Sequence, residues 1–440
     1  MRDLFTSFAN SLIHSLQAGE EISLFLSAEE SFFLRINEAK VRQTIRVSQA
    51  EVTLTFIKDK RNIFITIPFE TDQERNLLKG QEVITQCRQE CEQVPPDPFC
   101  ITLQNFGDSS EDYPGVFPQD EEWIDTVLPH LEGLDCAGLL TAGSVTRANM
   151  NSLGQNHWYK SHSFFIDFSL YTPDQQAVKF FYGDKNWSEI TFLEKLQNAK
   201  SQLDRLNFPK KVITPGKYRT YFAPEAVADL LVGFSWNGIG AGCYHQGHSA
   251  FKLIADGKVN FSPIFNLTED FSGGFSPRFN SLGELASASL PIIIDGELKN
   301  FLVSTKTAKE YHLTSNYAEQ NEHLRSPSIS PGTIRETEIL KHLDTGLYVG
   351  NVHYLNWSDL NTGRLTGMTR YACFWVEKGE IVSPIHDLRF DDTIYHLFGQ
   401  GLRGLTESAH PVLETSTYHQ RAIGGKRVPG ILVDQLTYTL

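Results

Sequence analysis

The sequence predicts an α+β protein of two domains, and three observations carry this prediction. Some stretches place apolar residues every three or four positions, as helices do, whereas others alternate with period two, as strands do. The helical and strand-like stretches are grouped together along the chain, which favours α+β over a doubly wound sheet. Residues 207–219, "NFPKKVITPGKYR", combine prolines, a glycine and basic residues, a composition typical of a linker.

The chain opens with a predicted amphipathic helix, followed by an antiparallel meander. Apolar residues recur at helical spacing at Leu4, Phe5, Phe8, Leu12, Ile13 and Leu16. From residue 22 to 68 the pattern changes to period two in the segments "ISLFLSA", "SFFLRIN", "RQTIRVS", "EVTLTFIK" and "NIFITIP", which short polar stretches separate. This pattern predicts about five antiparallel strands. Residues 71–92 then form a predicted helix with Thr71 or Asp72 as its N-cap.

The remainder of the N-terminal half again mixes helices and strands. A Pro- and Asp-rich connection leads to a predicted helix at 121–131. Period-two segments follow in "AGLLTAGSVTRAN", "SHSFFIDFSLY" and "QAVKFFYG". A predicted helix at 186–206 then reaches the linker.

We place the domain boundary between Lys210 and Gly216, which gives an N-terminal α+β domain at 1–210 and a C-terminal domain at 211–440. The C-terminal domain begins with a helix started by Pro224 and continues as many short strands that we expect to be antiparallel. Exposed linkers are cut first by proteases, so limited proteolysis should cleave first near this boundary.

Composition narrows the classes of function. The formal net charge is −14, and because a phosphate-binding surface needs clustered Lys and Arg, nucleic acid is not expected as a direct ligand. No stretch approaches eighteen consecutive apolar residues, and the N-terminus lacks the features of a signal peptide. The six cysteines show no CxxC spacing, which is typical of reduced thiols. We therefore expect a cytoplasmic protein that does not bind membranes.

The stretch "GAGCYHQGHSAF", residues 240–251, is the first candidate for chemistry because it brings Cys243, His245 and His248 close together in sequence. A thermolysin-type zinc site has the order His-Glu-x-x-His, in which the glutamate activates the bound water. Here Gln246 follows the first histidine, and an amide does not accept a proton near neutral pH. A glycine between the histidines also weakens the helix that would bring them to one face. The pattern is more typical of a helix end or loop.

A self-sufficient zinc peptidase stays open as an alternative hypothesis. It would bind the metal through the two histidines and a third ligand, Cys243 or His419. Its general base would have to come from elsewhere, and Glu225 and Asp229 on the preceding helix are the candidates.

A serine nucleophile is a weaker interpretation of the same stretch. "GHSAF" matches Gly-x-Ser-x-Gly around Ser249, except that Phe251 replaces the last glycine. That glycine allows a sharp turn from a strand into a helix, whereas the upstream "PEAVADLLVGFSW" is helical. We do not expect Ser249 to be a nucleophile.

A series of motifs in the C-terminal half resembles a known family. "GKYRTYFAPEAVADLLVGFS" is followed by "FSPRFNSLGELASASLPIIIDGELKNFLVSTKTAKEYHLTSN", "SPSISPG", "DTGLYVGNVHY", "NTGRLTG", "ACFWVEKGEIVSPIHDLRF" and "VPGILVDQLTYTL". With "RANMNSLG" in the N-terminal half, this order resembles the TldD/PmbA (TldE) family, also called peptidase family U62 and modulator of DNA gyrase. The resemblance covers most of the chain and is strongest from 210 to 440. Thr314, Ser315 and Asn316 stand where the family has a Ser-Thr-Gly-Asn turn, without its glycine.

The resemblance implies which kind of member this chain is. TldD-type subunits carry a His-Glu-x-x-x-His helix and a late cysteine that resemble a zinc-peptidase site, whereas PmbA/TldE-type subunits lack the motif and pair with TldD. Here "GAGCYHQGHSAF" falls on the PmbA-type helix end, and the late stretch "STYHQRAIGGKRVPG" contains no cysteine. Cys373 lies in an apolar segment, where we expect a core role. The resemblance therefore implies a non-catalytic TldE/PmbA-like subunit that binds no metal itself.

The resemblance also implies partners: a zinc-containing TldD-type subunit and unfolded or precursor peptides as substrates. An extended peptide can add to a sheet edge through backbone hydrogen bonds, and Gly-rich turns such as "LNTGRLTG" and "FSGGF" suit close approach, although hairpin turns explain them more simply. The peptide-binding or interface candidates are Tyr348, Trp357, Gly363, Gly367 and Trp375. Without a TldD-type partner, we expect the same apolar surface to form a homodimer. A non-proteolytic homodimeric binding protein is the third hypothesis.

Overall fold

A computed structural model describes residues 1–439 and has the mixed α+β architecture that the sequence predicts. The helices are α1 Arg2–His14, α2 Gln73–Cys91, α3 Glu122–Val127, α4 Glu189–Leu206, α5 Pro224–Ser235, α6 Ala241–His245, α7 Lys252–Ala255, α8 Thr305–Tyr311 and α9 Ile339–Leu343. The strands of the N-terminal half are β1 Glu21–Asn37, β2 Lys40–Lys58, β3 Arg61–Pro68, β4 Asp108–Tyr113, β5 Cys136–Asn151, β6 Asn156–Tyr171 and β7 Ala177–Asp184. Those of the C-terminal half are β8 Gly216–Phe222, β9 Leu267–Asp270, β10 Ser289–Ile294, β11 Glu297–Leu298, β12 Pro327–Ile329, β13 Gly346–Asp359, β14 Arg364–Glu377, β15 Glu380–Pro384, β16 Arg389–Thr393, β17 Leu402–Leu405, β18 His410–Leu413, β19 Gly425–Val428 and β20 Ile431–Tyr438.

The N-terminal half forms one seven-stranded sheet in the order β3–β2–β1–β5–β6–β4, with β7 also paired to β6. The pairs β1–β2, β1–β5 and β5–β6 are antiparallel over almost their whole length. The helix predicted at 71–92 is present as α2, and the side chain of Asp72 caps it by accepting a hydrogen bond from the Arg75 N–H at 3.1 Å.

The prediction of five strands between 22 and 68 was wrong, because three long strands occupy this region. The stretches at 29–30 and 49–50, taken as turns, lie in the middle of β1 and β2. The chain reverses at Glu38–Ala39 and at Asp59–Lys60, where all four residues have positive φ, between 49° and 60°. Two-residue turns of this kind usually contain Gly or Asn; here ordinary residues form them, at two of the breaks that the sequence predicts.

The helices of this half cover one face of the sheet. Because side chains alternate along a strand, the even-numbered residues Leu24, Leu26 and Leu34 of β1 point to the same face. The first two pack with α1 and α2, and Leu34 packs with α3 and α4. Two apolar clusters therefore share one side of the sheet.

The opposite face of the sheet is polar and lies beneath the C-terminal half. Tyr159 and Ser161 on β6 donate hydrogen bonds to the Gly274 carbonyl at 3.0 and 2.9 Å. Asn149 on β5 donates to the Ser281 carbonyl at 3.2 Å. The two halves are joined by these hydrogen bonds and by apolar contacts, since Phe374 of β14 packs in an N-terminal cluster and Leu413 of β18 packs with Phe165 of β6.

The C-terminal half contains two sheets. One has six strands in the order β11–β10–β9–β12–β19–β18. In the other, the pairings β13–β8–β20–β16–β14 continue through β14–β13, so these five strands form a closed ring, with β15 and β17 added at its outside. Helix α5 lies against β13, and its residues Val227, Leu230 and Phe234 belong to the largest apolar core.

The division at residue 210 stays a prediction. Strand β8 starts at Gly216, and the preceding segment exposes Phe208 (55%) and Val212 (74%). The Lys211 N–H nevertheless donates to the Pro384 carbonyl at 2.8 Å, so the segment is attached to the C-terminal half. None of the helices within residues 1–439 is both long and apolar enough to cross a membrane.

Candidate functional site

The stretch 240–251 forms the connection between α5 and α7, and α6 is one short turn within it. Glu322, a buried residue, holds this connection from the side. One carboxylate oxygen accepts the Gly242 N–H at 2.8 Å, and the other accepts the Ser304 N–H at the start of α8, also at 2.8 Å. A Cβ on Gly240 would lie 2.9 Å from the same carboxylate, which explains a glycine there. The carboxylate thus fixes two helix starts together.

The thiol of Cys243 is directed into the protein backbone. Its Sγ donates to the Gly240 carbonyl at 3.0 Å, within the same turn. Burial is the main cause that raises the pKa of this thiol above its usual value. A protonated, hydrogen-bonded thiol is poorly suited to metal binding or nucleophilic attack.

The two histidines of the stretch lie at the surface. His245 is exposed and stacks on Tyr311, with ring centroids 4.7 Å apart. His248 follows Gly247, which has φ +84°, and is also exposed. His419, the other possible third ligand, contacts the N-terminal half, where its carbonyl accepts from Gln49 at 2.7 Å.

These donors do not fit a zinc site. Across residues 1–439, no three His, Cys, Asp or Glu side chains come together as a group that could hold a metal ion. A zinc site requires three or four converging ligands with a thiolate or a neutral imidazole directed at the metal. Here the thiol of Cys243 donates to a carbonyl and the ring of His245 stacks on Tyr311.

The two proposed bases on α5 have different surroundings. Glu225 lies 4.0 Å from Lys195 of α4, at the junction of the two halves. Asp229 is partly buried, and this burial, assisted by the negative charges of Glu225 and Glu414, raises its pKa to about 7. Lys426 and the Val352 N–H oppose that rise. Asp229 therefore titrates near neutral pH.

Ser249 has a structural role. Its hydroxyl donates to the Gly238 carbonyl at 2.6 Å and accepts the Phe251 N–H at 3.0 Å. The side chain is buried and bridges the turn before α7. These bonds occupy the hydroxyl within the connection.

Of the predicted peptide-binding or interface residues, Tyr348 and Trp375 contact other parts of the same chain. Tyr348 packs against Tyr221, and its hydroxyl lies 3.5 Å from Gln202 of α4, so it joins the two halves. Trp375 donates through its Nε1 to Glu377 at 2.6 Å, and the Lys211 ammonium lies 4.6 Å from its ring centroid. Trp375 thus helps to hold the linker segment.

Trp357, Gly363 and Gly367 lie around the closed ring. Trp357 is partly buried beside α5, where a Cβ on Gly233 would be 3.5 Å from its ring. Gly363 has φ +63°, and a Cβ there would lie 2.8 Å from Tyr395. A Cβ on Gly367 would be 2.6 Å from Phe390. Packing within the chain accounts for both glycines, and their contact with a peptide stays a prediction.

The late stretch "STYHQRAIGGKRVPG" crosses the polar face of the N-terminal sheet, which sequence reasoning missed. Arg421 is 3% exposed and donates to the carbonyls of Ser163 at 2.7 Å and Gly143 at 3.3 Å. Its own N–H donates to the carboxylate of Glu29 at 3.1 Å. Gly143 has φ +144°, and a Cβ there would strike the Glu30 carbonyl. The only sequence signal was a polar pattern in strands otherwise rich in apolar residues.

Cys373 belongs to the core, as expected. It is 4% exposed on β14, and burial raises its pKa to about 11.

The chain is similar to known proteins in sequence and in fold. Residues 215–440 match the profile of the PmbA/TldA metallopeptidase C-terminal domain. A proposed modulator of a DNA gyrase from Thermotoga maritima superimposes with a TM-score of 0.79 at 17% identity, over 99% of this chain and 100% of its own. TldE from Thermococcus kodakarensis gives a TM-score of 0.75 at 15% identity, over 99% and 100%. A proposed modulator of DNA gyrase from Bacteroides thetaiotaomicron gives 0.76 at 14% identity, over 99% and 98%. No curated protein matches the chain in sequence.

Proposed function

The chain belongs to the PmbA/TldD metallopeptidase family, and we propose that it is a subunit of the TldE type, without a catalytic site of its own. It pairs with a TldD-type subunit, and that partner holds the zinc that activates water for peptide cleavage. The substrates are unfolded or precursor peptides in the cytoplasm. The family membership rests on a match over about half of the chain, and the role within the family rests on the site.

One observation carries the assignment to the TldE type: the donors at 240–251 are dispersed. The Cys243 thiol donates to a backbone carbonyl, and the exposed His245 ring is stacked on Tyr311. The glutamate of this region, Glu322, is occupied by two backbone N–H groups and is therefore not free to act as a base. Because these side chains are engaged within the chain, we assign the catalytic residues to the partner subunit.

Peptide binding by the assembled pair agrees with the architecture of the C-terminal half. Short strands and exposed loops surround the ring, and backbone pairing with an extended peptide needs no particular sequence. The surface around Trp357 and the turn at Gly363 is the part of this chain that we assign to the peptide or the partner.

The test is reconstitution. The chain should be purified alone and together with a TldD-type subunit that carries His-Glu-x-x-x-His, and both preparations assayed for zinc and for cleavage of an unfolded peptide. We expect zinc and chelator-sensitive cleavage in the co-purified pair, and neither in the chain alone. A partner variant with alanine at its first zinc-binding histidine controls for the origin of the activity.

Two results would favour the alternatives. Stoichiometric zinc in the isolated chain, lost in His245→Ala, would support a self-sufficient peptidase and overturn the proposal. Failure to co-purify with any TldD-type subunit, in a chain that is dimeric and inactive, would support a homodimeric binding protein.

A further inference from the structure

The helix-covered face of the N-terminal sheet carries a polar row between its two apolar clusters. Four residues on the consecutive strands β2, β1, β5 and β6 lie directly opposite one another, in the order Ser48, Glu30, Ser144 and His162. Their side chains therefore point to the same face of the sheet. Along β1, Leu26 of one apolar cluster and Phe32 of the other lie on either side of Glu30.

A groove of about 410 Å³ lies over this polar row, and all four residues of the row line it. Phe32 and residues 117–120 complete its lining on the side of α3. Phe117 is held in place by Trp123 and Phe164, whose ring centroids lie 6.2 and 5.8 Å from its own. The groove thus combines a polar floor with a partly apolar wall, at a size that suits a small organic molecule.

Glu30 lines this groove without a counter-charge. It is exposed, and within residues 1–439 its carboxylate accepts no hydrogen bond and takes part in no ion pair. Arg46, which also lines the groove, pairs instead with Glu121 and, at 2.9 Å, with Asp120. Since these three acidic residues outnumber the one arginine, the groove keeps a negative charge.

The two serines beside Glu30 also have unused hydroxyls. Ser144 is 5% exposed, yet its hydroxyl makes no hydrogen bond in the described part of the chain, and neither does that of Ser48. Buried hydroxyls are normally paired, so Ser144 indicates a partner that comes from the groove. Directly opposite residues have Cβ atoms about 5 Å apart. The two hydroxyls and the carboxylate between them can therefore converge on one small group.

His162 ends the row as a neutral ring. Burial is the main cause that lowers its pKa, and Lys160 assists, while Asp112, the Tyr113 carbonyl and Glu30 oppose the change. The charge of Lys160 is offset by Asp112, which faces it on β4. Because the ring is uncharged near pH 7, it does not repel a cation at Glu30.

We propose that this groove binds a protonated primary amino group, carried by a small alkylamine. A primary ammonium has three N–H donors and no acceptor. It matches the Glu30 carboxylate and the hydroxyls of Ser48 and Ser144, three acceptors that have no donor among residues 1–439. The carbon chain of the amine packs along the wall at Phe117.

Other classes of ligand fit this groove less well. An anion would meet the negative charges of Glu30 and Asp120. A metal ion would lack ligands, because no three His, Cys, Asp or Glu side chains within residues 1–439 form a group that could hold one. The net charge of −14 also attracts cations to the chain. The inference concerns the chain alone, so its failure would leave the proposed role beside a TldD-type subunit untouched.

Isothermal titration calorimetry of the full chain with butylamine tests the proposal. We expect saturable binding that Glu30→Gln weakens at least about tenfold, because hydrogen bonds to a charged group are lost. Ser144→Val removes a hydroxyl and fills the space above it, and it should abolish binding in a chain that circular dichroism shows to be folded. Glu51→Gln makes the same change of charge on the opposite face of the sheet, and it should bind butylamine as the wild type does.

Two further probes identify the recognised group. Tetramethylammonium carries the charge without N–H donors, and it should bind at least about tenfold more weakly than butylamine. Alanine amide should also bind more weakly, because its polar amide would lie against Phe117. Tighter binding of alanine amide would assign the groove to amino termini and overturn the alkylamine. The absence of saturable butylamine binding, or equally tight binding by Glu30→Gln, would overturn the proposal as a whole.

Discussion

Two regions of this molecule concentrate polar and ionisable residues, and they use them in opposite ways. In the stretch 240–251, the side chains that could bind a metal or transfer a proton, His245 and His248, are exposed. The backbone near them is held by Glu322. At the junction with the N-terminal sheet, Arg421 is buried and hydrogen-bonded to backbone carbonyls. The residue types in the stretch 240–251 suggested a reactive site, but the buried polar groups at the junction matter more for the stability of the fold. Polar groups removed from water are costly to leave unpaired, so we expect stability to depend on the junction.

The largest effect should come from Arg421→Ala. The change removes the donors that satisfy the Ser163 and Gly143 carbonyls inside the junction. Breaking a buried charged network of this kind costs about 4 kcal/mol in the free energy of unfolding. Urea denaturation followed by circular dichroism measures it. Arg427→Ala, an exposed arginine on the neighbouring β19, is the matched control and should cost less than about 0.5 kcal/mol. Equal losses of unfolding free energy in Arg421→Ala and Arg427→Ala would contradict the view that stability depends on the junction.

The second effect should appear as a pH dependence at Asp229. Burial raises the pKa of this carboxyl to about 7 in the folded chain, so the folded state holds the proton more tightly than the unfolded state. The associated stability is present below about pH 4 and is lost as pH rises to about 7. Asp229→Asn should therefore gain stability relative to the wild type across that range, by up to about 4 kcal/mol. Thermal unfolding between pH 4 and 8 tests it, and a constant difference between the two proteins would contradict it.

A smaller loss should follow from Glu322→Ala. The Gly242 and Ser304 N–H groups would both lose their acceptor, which costs about 2 kcal/mol. Glu322→Gln keeps an oxygen for one of them and should lose about half as much. Chemical denaturation of the wild type and the two variants gives their free energies of unfolding. The differences measure how much the Glu322 carboxylate stabilises the stretch 240–251.

The smallest effect should come from the histidines themselves. His245→Ala and His248→Ala change exposed side chains and should alter the free energy of unfolding by less than about 0.5 kcal/mol each. Cleavage by the complex with a TldD-type subunit should also be unchanged. Loss of zinc or of activity in either variant would show that the stretch 240–251 takes part in catalysis.

The sequence predicted the parts of the fold that depend on local patterns. The α+β class, the N-terminal helix and the cap at Asp72 all follow from periodicity and side-chain chemistry within a few residues. The breaks between the period-two segments also marked the turns at Glu38–Ala39 and Asp59–Lys60, although ordinary residues there adopt positive φ. The local pattern missed that β1 and β2 continue through the polar residues near Glu29 and Gln49, because β1 pairs with a neighbouring strand on both sides along most of its length.

The candidate site was only partly accessible to the same reasoning. Gln246 in the position of a glutamate argued against a zinc motif at 240–251, and the absence of a metal there stays a prediction. The structural roles of Gly363 and Gly367 could not be predicted, since they depend on Tyr395 and Phe390, which are distant in sequence. Arg421 was overlooked for a related reason. Gly143 on β5 and Ser163 on β6 are paired within the N-terminal sheet, but Arg421 reaches them only after the two halves of the chain have assembled.

The closed ring of the C-terminal half has a consequence for the speed of folding. Its central strand β8 pairs with β13 and β20, and β20 comes from the far end of that half. The meander β1–β2–β3 instead pairs neighbours across two-residue turns. Folding slows as contacting residues become more distant along the chain. The N-terminal meander should therefore form first and offer its polar face as a template, while the ring waits for β20 to close. The open intermediate would expose the edges of β8 and β16, which makes that interval the time when the chain is most vulnerable to aggregation.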